Sequence, residues 1–443
     1  MNRGSLVCAA GALLAASLAG PAGAVDACPR LWVPGAEHAE VACLDDLTTA
    51  GTVASGHTDP NDWAGLHAPG TGNPSGVPGI QIDGYFPDSS TLNNTHGWKH
   101  DSQFVLRLPE RWNGGLVVTG APGVREQYAN DFIIADWVLA RGYAFAATDK
   151  GNVGAEFYTD GVRPGDAVLE WHHRVTQLTR AAKAVAAQRY GTAPRRTYAT
   201  GISNGGYLAR WQLERHPNLY DGAVDWEGTL FTRGGPHLLT FLPPALRHYP
   251  KAAAGDPAAH QAIIDAGFAP GSEPLWAFHH AYYWDLTQRI YREEFDPGYD
   301  GDTRAGYPFC LPGSLPGCDT DYDYASRPRA VHDAVERVSL TGTVSKPMIT
   351  LHGTLDTLLP IRVDSDVYAA MGAKPRYRYY RIEGGNHVDG LYPVHPELLR
   401  PILPCYRAAF AALEGWVERR AAPPASRTVP RPAEGDLVNH CDL

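Results

Sequence analysis

The sequence predicts an α/β protein built on a mostly parallel central sheet with helices on both faces. Three observations carry this reading. Strand-like and helix-like runs alternate from Phe104 to Trp226, as they do where helices cross over between parallel strands. The alternation stops near Leu230 and resumes at Pro347, so the break reads as an insertion into one domain. A Gly-x-Ser-x-Gly pentapeptide, Gly201-Ile202-Ser203-Asn204-Gly205, falls between a strand-like and a helix-like run.

The elements follow in order. Residues 51–79 carry Gly, Pro, Asn and Asp throughout and are expected to be loop. Phe104–Leu108 and Gly115–Val118 are short β-type runs, with a turn at Trp112-Asn113-Gly114 before the second. A helix is expected over Asp131–Arg141 and a strand over Tyr143–Ala147. Trp171, Val175, Leu178, Ala182 and Val185 then repeat at helical spacing, and Gly191 is placed to stop that helix. Arg196–Thr200 reads as a strand, Tyr207–His216 as a helix and Asp221–Trp226 as a strand. After the insertion, strands are expected at Pro347–Leu351 and Arg376–Ile382, and helices at Val363–Met371 and Cys405–Arg419. The tail from Ala421 is Pro-rich and expected to be extended.

Composition narrows the function classes. The 443 residues are 44% hydrophobic and 19% charged, enough for a large core and too little charge for disorder. The net charge is −10, with no dense Lys/Arg run, which argues against a nucleic-acid partner. Met1–Val25 combines Arg3, an apolar stretch from Leu6 to Leu18 and Ala22-Gly23-Ala24, the pattern of a secretory signal peptide cut after Ala24. No other stretch is long and apolar enough to span a bilayer. The expected organisation is a signal peptide over 1–24 and a core over 25–229 and 345–420. A lid over 230–344 and a tail over 421–443 complete it. The expected location is outside the cytoplasm, extracellular or periplasmic.

One of the seven cysteines, Cys8, belongs to the signal segment. The remaining six suit three disulfides in an exported chain. Six cysteines allow fifteen pairings; sequence proximity favours Cys28–Cys43, Cys310–Cys318 and Cys405–Cys441. No Cys-x-x-Cys pair exists, which disfavours a zinc or dithiol redox centre.

The chemistry rests on three motifs. A tight turn at Gly-x-Ser-x-Gly lifts a serine hydroxyl above the sheet, and its glycines are needed where side chains would collide. His352-Gly353-Thr354-Leu355-Asp356 follows an apolar strand and continues to Pro360. Glu383-Gly384-Gly385-Asn386-His387 follows the next one. Ser203, Asp356 and His387 therefore occur in the chain order of the α/β-hydrolase superfamily, which the sequence resembles over roughly Ile80 to Arg419 apart from the insertion.

The resemblance implies a Ser-His-Asp triad. His387 would take the proton of Ser203, and Asp356 would hold the imidazole tautomer and stabilise its charged form. Asp225 and Glu227, after the strand that follows the nucleophile helix, are the alternative acids. Asp364 and Asp366 suit a helix start better, and Asp389 is too close to His387 along the chain. An oxyanion hole needs two aimed backbone N–H groups: Asn204 is one, and Ala121, in a Thr119-Gly120-Ala121-Pro122-Gly123 turn similar to the family's HGxP, is the other.

Other features have plainer readings. His172 and His173 suit helix packing or surface, and His352 a structural role at a strand end. Asp319, Asp321 and Asp323 begin like a calcium loop, but Tyr324 and Ala330 stand where its Gly and final Glu belong. No metal or cofactor is implied.

The lid carries Trp276, Phe278, His279, His280, Tyr282, Tyr283 and Trp284 within nine residues. Trp276, Tyr282, Tyr283 and Trp284 are the candidate walls of an acyl or aryl pocket, with lid packing as the alternative reading. The Thr148-Asp149-Lys150-Gly151 turn and the large lid look similar to tannase and feruloyl-esterase-like enzymes, which typically pair a Cys before the Ser with one before the His. Here those positions are Ile202 and Asn386. Hydroxybutyrate-polymer or oligomer hydrolases are resembled equally. The expectation is a secreted serine carboxylic-ester hydrolase acting on a small or oligomeric ester, with a capped peptidase or a non-catalytic binding protein as alternatives.

Overall fold

The computed structural model describes residues 28–299 and 319–443. The signal-like segment 1–24 and the Cys310–Cys318 pair lie outside them. Ten strands form one sheet among these residues. They are β1 (His38–Leu44), β2 (Gly79–Tyr85), β3 (Gln103–Pro109), β4 (Gly115–Gly120) and β5 (Ala144–Thr148), then β6 (Arg196–Ile202), β7 (Gly222–Trp226), β8 (Met348–Gly353), β9 (Tyr377–Ile382) and β10 (Arg427–Val429). Their order is β1-β2-β3-β5-β4-β6-β7-β8-β9-β10. Every pair from β5 across to β10 is parallel. The edge formed by β1, β2 and β3 is antiparallel, including the contact of β3 with β5.

Side chains alternate between two faces, as a strand's period of two requires. Leu116, Val118, Ala144 and Ala146 enter one apolar cluster, while Val117, Phe145 and Ala147 enter the other. Helices cover both faces: α1 (Thr49–Ala54), α2 (Asp136–Ala140), α3 (Asp166–Tyr190), α4 (Asn204–Arg215), and beyond the insertion α10 (Ser365–Ala370) and α11 (Leu403–Arg419). Gly191 ends α3 in the left-handed region at φ 73°, where glycine is favoured.

Two expectations need correction. Residues 51–79 are not loop throughout, because α1 runs on to Ala54 and a 3-10 turn forms at Pro60–Trp63, capped by Asp59. The tail does more than trail: Arg427–Val429 pairs in parallel with Tyr380–Ile382 as the last strand. Disulfides join Cys28 to Cys43 and Cys405 to Cys441.

The segment between β7 and β8 is helical: α5 (Leu238–Ala253), α6 (Pro257–Asp265), α7 (Glu273–His279), α8 (Asp285–Phe295) and α9 (Arg329–Val338). Prolines mask this in the sequence. Pro243, Pro244 and Pro250 lie inside α5, and Pro257 and Pro274 occupy first turns, where the missing N–H is harmless. Phe268, Trp276 and Trp284 of this segment share one cluster with Trp171 and Tyr207 of the sheet's helices, so its described helices are packed onto the core.

His237 caps α5, its Nδ1 accepting from the Leu239 N–H at 3.3 Å. Burial, helped by the nearby His332, pushes its pKa down to about 3. An acceptor nitrogen must be unprotonated, so the cap and the neutral ring stand or fall together. A lowered folded pKa means this contribution is complete above the ordinary histidine value and is lost as pH falls from there toward about 3. Wild type should therefore lose about 2 kcal/mol relative to His237→Asn between pH 7 and pH 5. Denaturant melts of both proteins at the two pH values check this, and parallel pH dependence would refute it.

Candidate active site

Three strand ends meet at the C-terminal edge of the sheet. β6 ends in Ser203, whose φ of 58° and ψ of −123° make a strained turn immediately before α4. A Cβ on Gly201 would lie 2.4 Å from the Gly205 carbonyl carbon, and one on Gly206 would lie 2.7 Å from Asp225 Oδ1. The elbow therefore has no room for larger residues at either position.

His387 reaches Ser203 from the loop after β9, its Nε2 3.1 Å from Oγ. Its Nδ1 lies 2.8 Å from Asp356 Oδ2, in the loop after β8. Asp356 is fully engaged. Its Oδ1 accepts the Leu358 and Leu359 N–H groups, each at 2.8 Å, and its Oδ2 also meets His352 Nε2 at 3.3 Å. Burial opposes ionisation of Asp356, but the charge of His387 and the bonds from His352 and His387 outweigh it, holding the carboxyl below the usual range.

The rival acids are placed elsewhere. Asp225 pairs with Arg210 at 2.7 Å and accepts from Gly228 N–H and Thr350 Oγ1. Asp364 binds Arg210 and the Leu230 N–H. Asp366 binds Arg381. Asp389 accepts from the Ile402 and Leu403 N–H groups at the start of α11. Glu227 alone among them approaches His387, with Oε2 3.9 Å from Nδ1.

Beside Ser203 opens a cavity of about 210 Å³. Its apolar walls include Val124, Leu238, Leu286, Ile290, Leu358 and Val388. Part of one wall, Ala64–Leu66, comes from the N-terminal segment. Arg125 holds that segment by donating to the carbonyls of Asp62 and Ala64 at 2.9 and 2.8 Å, and the Gly390 N–H donates to Gly65 O at 3.1 Å. No motif marked it, since its role depends on contacts distant in sequence.

Comparison with known proteins agrees with this architecture. Residues 91–229 match the family model described as tannase and feruloyl esterase. A stretch of 141 residues is 30% identical to mono(2-hydroxyethyl) terephthalate hydrolase of Piscinibacter sakaiensis. It covers 29% of this chain and 23% of that protein, so the match spans under a quarter of the curated relative. An esterase structure from Aspergillus oryzae superposes over 89% of this chain and 88% of its own, with a TM-score of 0.50 and 16% identity. Feruloyl esterase B from the same organism gives 0.49 and 15%, covering 87% and 88%. The chain has the α/β-hydrolase fold.

Within that hydrolase fold, one expected oxyanion donor must be corrected. The Ala121 N–H donates to Thr148 O at 2.9 Å, carrying the β4–β5 ladder one residue further, and so is not free. Pro122 and Gly123, the latter at φ 50°, border the cavity with Ser203 and Asn204, and of the two only Gly123 carries an N–H. The Gly123 carbonyl accepts from Asn204 Nδ2 at 3.0 Å. Asn204 opens α4, where a backbone N–H has no intrahelical acceptor.

The aromatic cluster also divides. Tyr283 lines the cavity. Trp276 and Trp284 do not, being buried in the lid with their indole N–H groups donating to Ser272 Oγ and Thr357 O. Tyr282 is 45% exposed. A residue that went unnoticed in the sequence, Tyr291 on α8, lines the cavity and bonds the Asn204 amide at 2.7 Å. Its spacing of seven from Trp284 places both on the lid's inner side. Ile202 is buried in the core, and Asn386 accepts from Thr357 Oγ1 at 3.3 Å. Of the candidate calcium loop, Asp319 pairs with Arg292 at 2.8 Å and Asp323 caps a turn. His172 stacks on Trp211 with ring centroids 3.6 Å apart.

Gly205→Ala is a sharp probe of the elbow. Alanine is intrinsically about 1 kcal/mol better than glycine in a helix. A Cβ there would sit 2.6 Å from Gly120 O, so the substitution should instead destabilise by about 1–3 kcal/mol. A thermal melt showing equal or raised stability would contradict the packing described.

Proposed function

We propose that this protein is a carboxylic-ester hydrolase working through Ser203, His387 and Asp356. The observation that carries the reading is the chain of contacts from Ser203 Oγ through the His387 ring to Asp356, at 3.1 and 2.8 Å, opening on an apolar cavity. The tannase and feruloyl esterase match over 91–229 and the terephthalate-ester hydrolase relative support ester chemistry.

In this mechanism Ser203 Oγ attacks the ester carbonyl as His387 Nε2 takes its proton. Asp356 accepts the Nδ1–H and stabilises the imidazolium. The tetrahedral oxygen is met by the Asn204 and Gly123 N–H groups, aimed where negative charge develops. Collapse expels the alcohol, protonated by His387, and leaves an acyl-Ser203. Water then attacks with His387 again as base, releasing the acid.

Cavity size suggests the acyl group. An apolar cavity of about 150 Å³ accepts a benzene ring, so about 210 Å³ fits one substituted ring or a short chain. We infer esters of single-ring aromatic acids as the preferred class, taken as monomers or chain ends. The N-terminal pattern and the two disulfides support an exported enzyme.

Ser203→Ala should abolish fluorophosphonate labelling and lower ester turnover at least about 10⁴-fold. Full turnover by Ser203→Ala would overturn the assignment. Among chromogenic esters, benzoyl-type substrates should exceed two-ring acyl esters at least about tenfold in kcat/KM. Equal rates would refute the cavity argument, and faster cleavage of matched amides would favour a peptidase.

A further inference from the structure

Glu227 is buried, unused by the mechanism above, and next to its centre. It follows β7, at the position where the alternative acid of this fold would sit, in the left-handed region at φ 49°. Its own N–H donates to Leu351 O at 2.8 Å. Oε1 accepts the Gly353 N–H at 2.6 Å, while Oε2 is buried with no hydrogen-bond partner, 3.9 Å from His387 Nδ1. Ligating atoms of Glu227, Asp356 and His387 all lie within 4.8 Å of one another. Two carboxyls thus stand behind one imidazole.

We propose that Glu227 is a standby acid of the triad, a second carboxyl positioned to accept the His387 Nδ1–H when Asp356 cannot. This rests on the triad assigned above. The groups around it explain why it stands by. Burial, then the charge of Asp356, with that of Asp389 adding, pushes the Glu227 carboxyl well above its ordinary pKa, against the pull of the Gly353 N–H and the neighbouring Trp226 indole. His352 and His279 also face Asp356, one by contact and one through space. With Asp356 ionised and holding four donors, ionisation of Glu227 beside it is disfavoured. Removing the charge at 356 removes a main obstacle to its ionisation, and the ring needs to shift by only about one ångström to bring 3.9 Å into hydrogen-bond range. Glu227 acts through His387, so it is a positioning residue.

The experiment compares kcat/KM against pH for wild type, Glu227→Gln, Asp356→Asn, Asp356→Ala and both double variants, with a chromogenic benzoate ester. Glu227→Gln should cost less kcat/KM when Asp356 is present than in either Asp356 variant. Each Asp356 variant should retain activity at least about tenfold above its double with Glu227→Gln. The excess should appear as a rising limb with pH, as Glu227 ionises, that the doubles lack. Asp356→Asn preserves shape, so the comparison survives if Asp356→Ala fails to fold. Doubles no slower than the Asp356 singles, or identical pH limbs, would overturn the proposal. Asp356 variants as active as wild type even with Glu227→Gln would instead overturn the triad assignment.

Discussion

Arg210 is the side chain on which the site's geometry depends. It rises from α4, the helix begun by the nucleophile, and is wholly buried between Asp225 of β7 and Asp364 beyond β8, at 2.7 and 3.0 Å. A buried guanidinium is costly unless every donor is matched, and losing one partner of such a set typically costs about 3–5 kcal/mol. The match here extends further. Arg210 Nη2 donates to Ser365 Oγ at 2.7 Å, and that oxygen meets His352 Nδ1 at 2.6 Å. His352 in turn contacts Asp356. A continuous polar path thus runs from α4 to Asp356, through the interior of the sheet's C-terminal edge. It explains why Asp225, two residues before Glu227, is unavailable to His387: both of its oxygens are taken, by Arg210 and Thr350 on one and the Gly228 N–H on the other.

The cavity is held by similar ties between distant segments. The lid touches the site at Tyr291, which bonds Asn204, and at Trp284 and His279, which bond Thr357 beside Asp356. The N-terminal segment is fixed by Arg125 and Gly390. Removing any one segment would expose a different wall. The described part of the insertion shares its apolar cluster with α3 and α4 and is bound to them by many side chains.

Local signals were readable and relational ones were not. Ser203, Asp356 and His387 stood out because each follows a strand whose pattern is local, and the sheet brings strand ends together. The engagement of Ala121 was not legible because the one further ladder bond that takes up its N–H is invisible in a Thr-Gly-Ala-Pro-Gly turn. The aromatic run left pocket wall and packing open, and the structure divides it: it winds through α7 and a π-helical turn at His280–Trp284, with Tyr283 on the cavity, Trp276 and Trp284 turned inward and Tyr282 outward. The wall at Ala64–Leu66 and the strand at Arg427–Val429 lie in Gly- and Pro-rich stretches whose structure comes only from what they contact. Glu227 was visible as an alternative acid, but its burial beside Asp356 was not.

Strain marks the same edge of the sheet. Lys150, Ser203 and Glu227, just beyond β5, β6 and β7, are all non-glycine residues at positive φ. Each such residue costs of order 1–3 kcal/mol and persists only where its surroundings over-determine it. Two of the three over-determine each other. Ser203 N–H donates to Trp226 O, the Thr229 N–H returns to Ser203 O, and Gly228, at the tight approach to Gly206, donates to Asp225. The turn that presents Ser203 and the turn that presents Glu227 are therefore one interlocked unit. Relaxing either turn would break bonds that hold the other. This accounts for a buried carboxyl being kept in a strained and half-satisfied state: its backbone is fixed by the requirements of Ser203, and its side chain is carried with it to the back of His387.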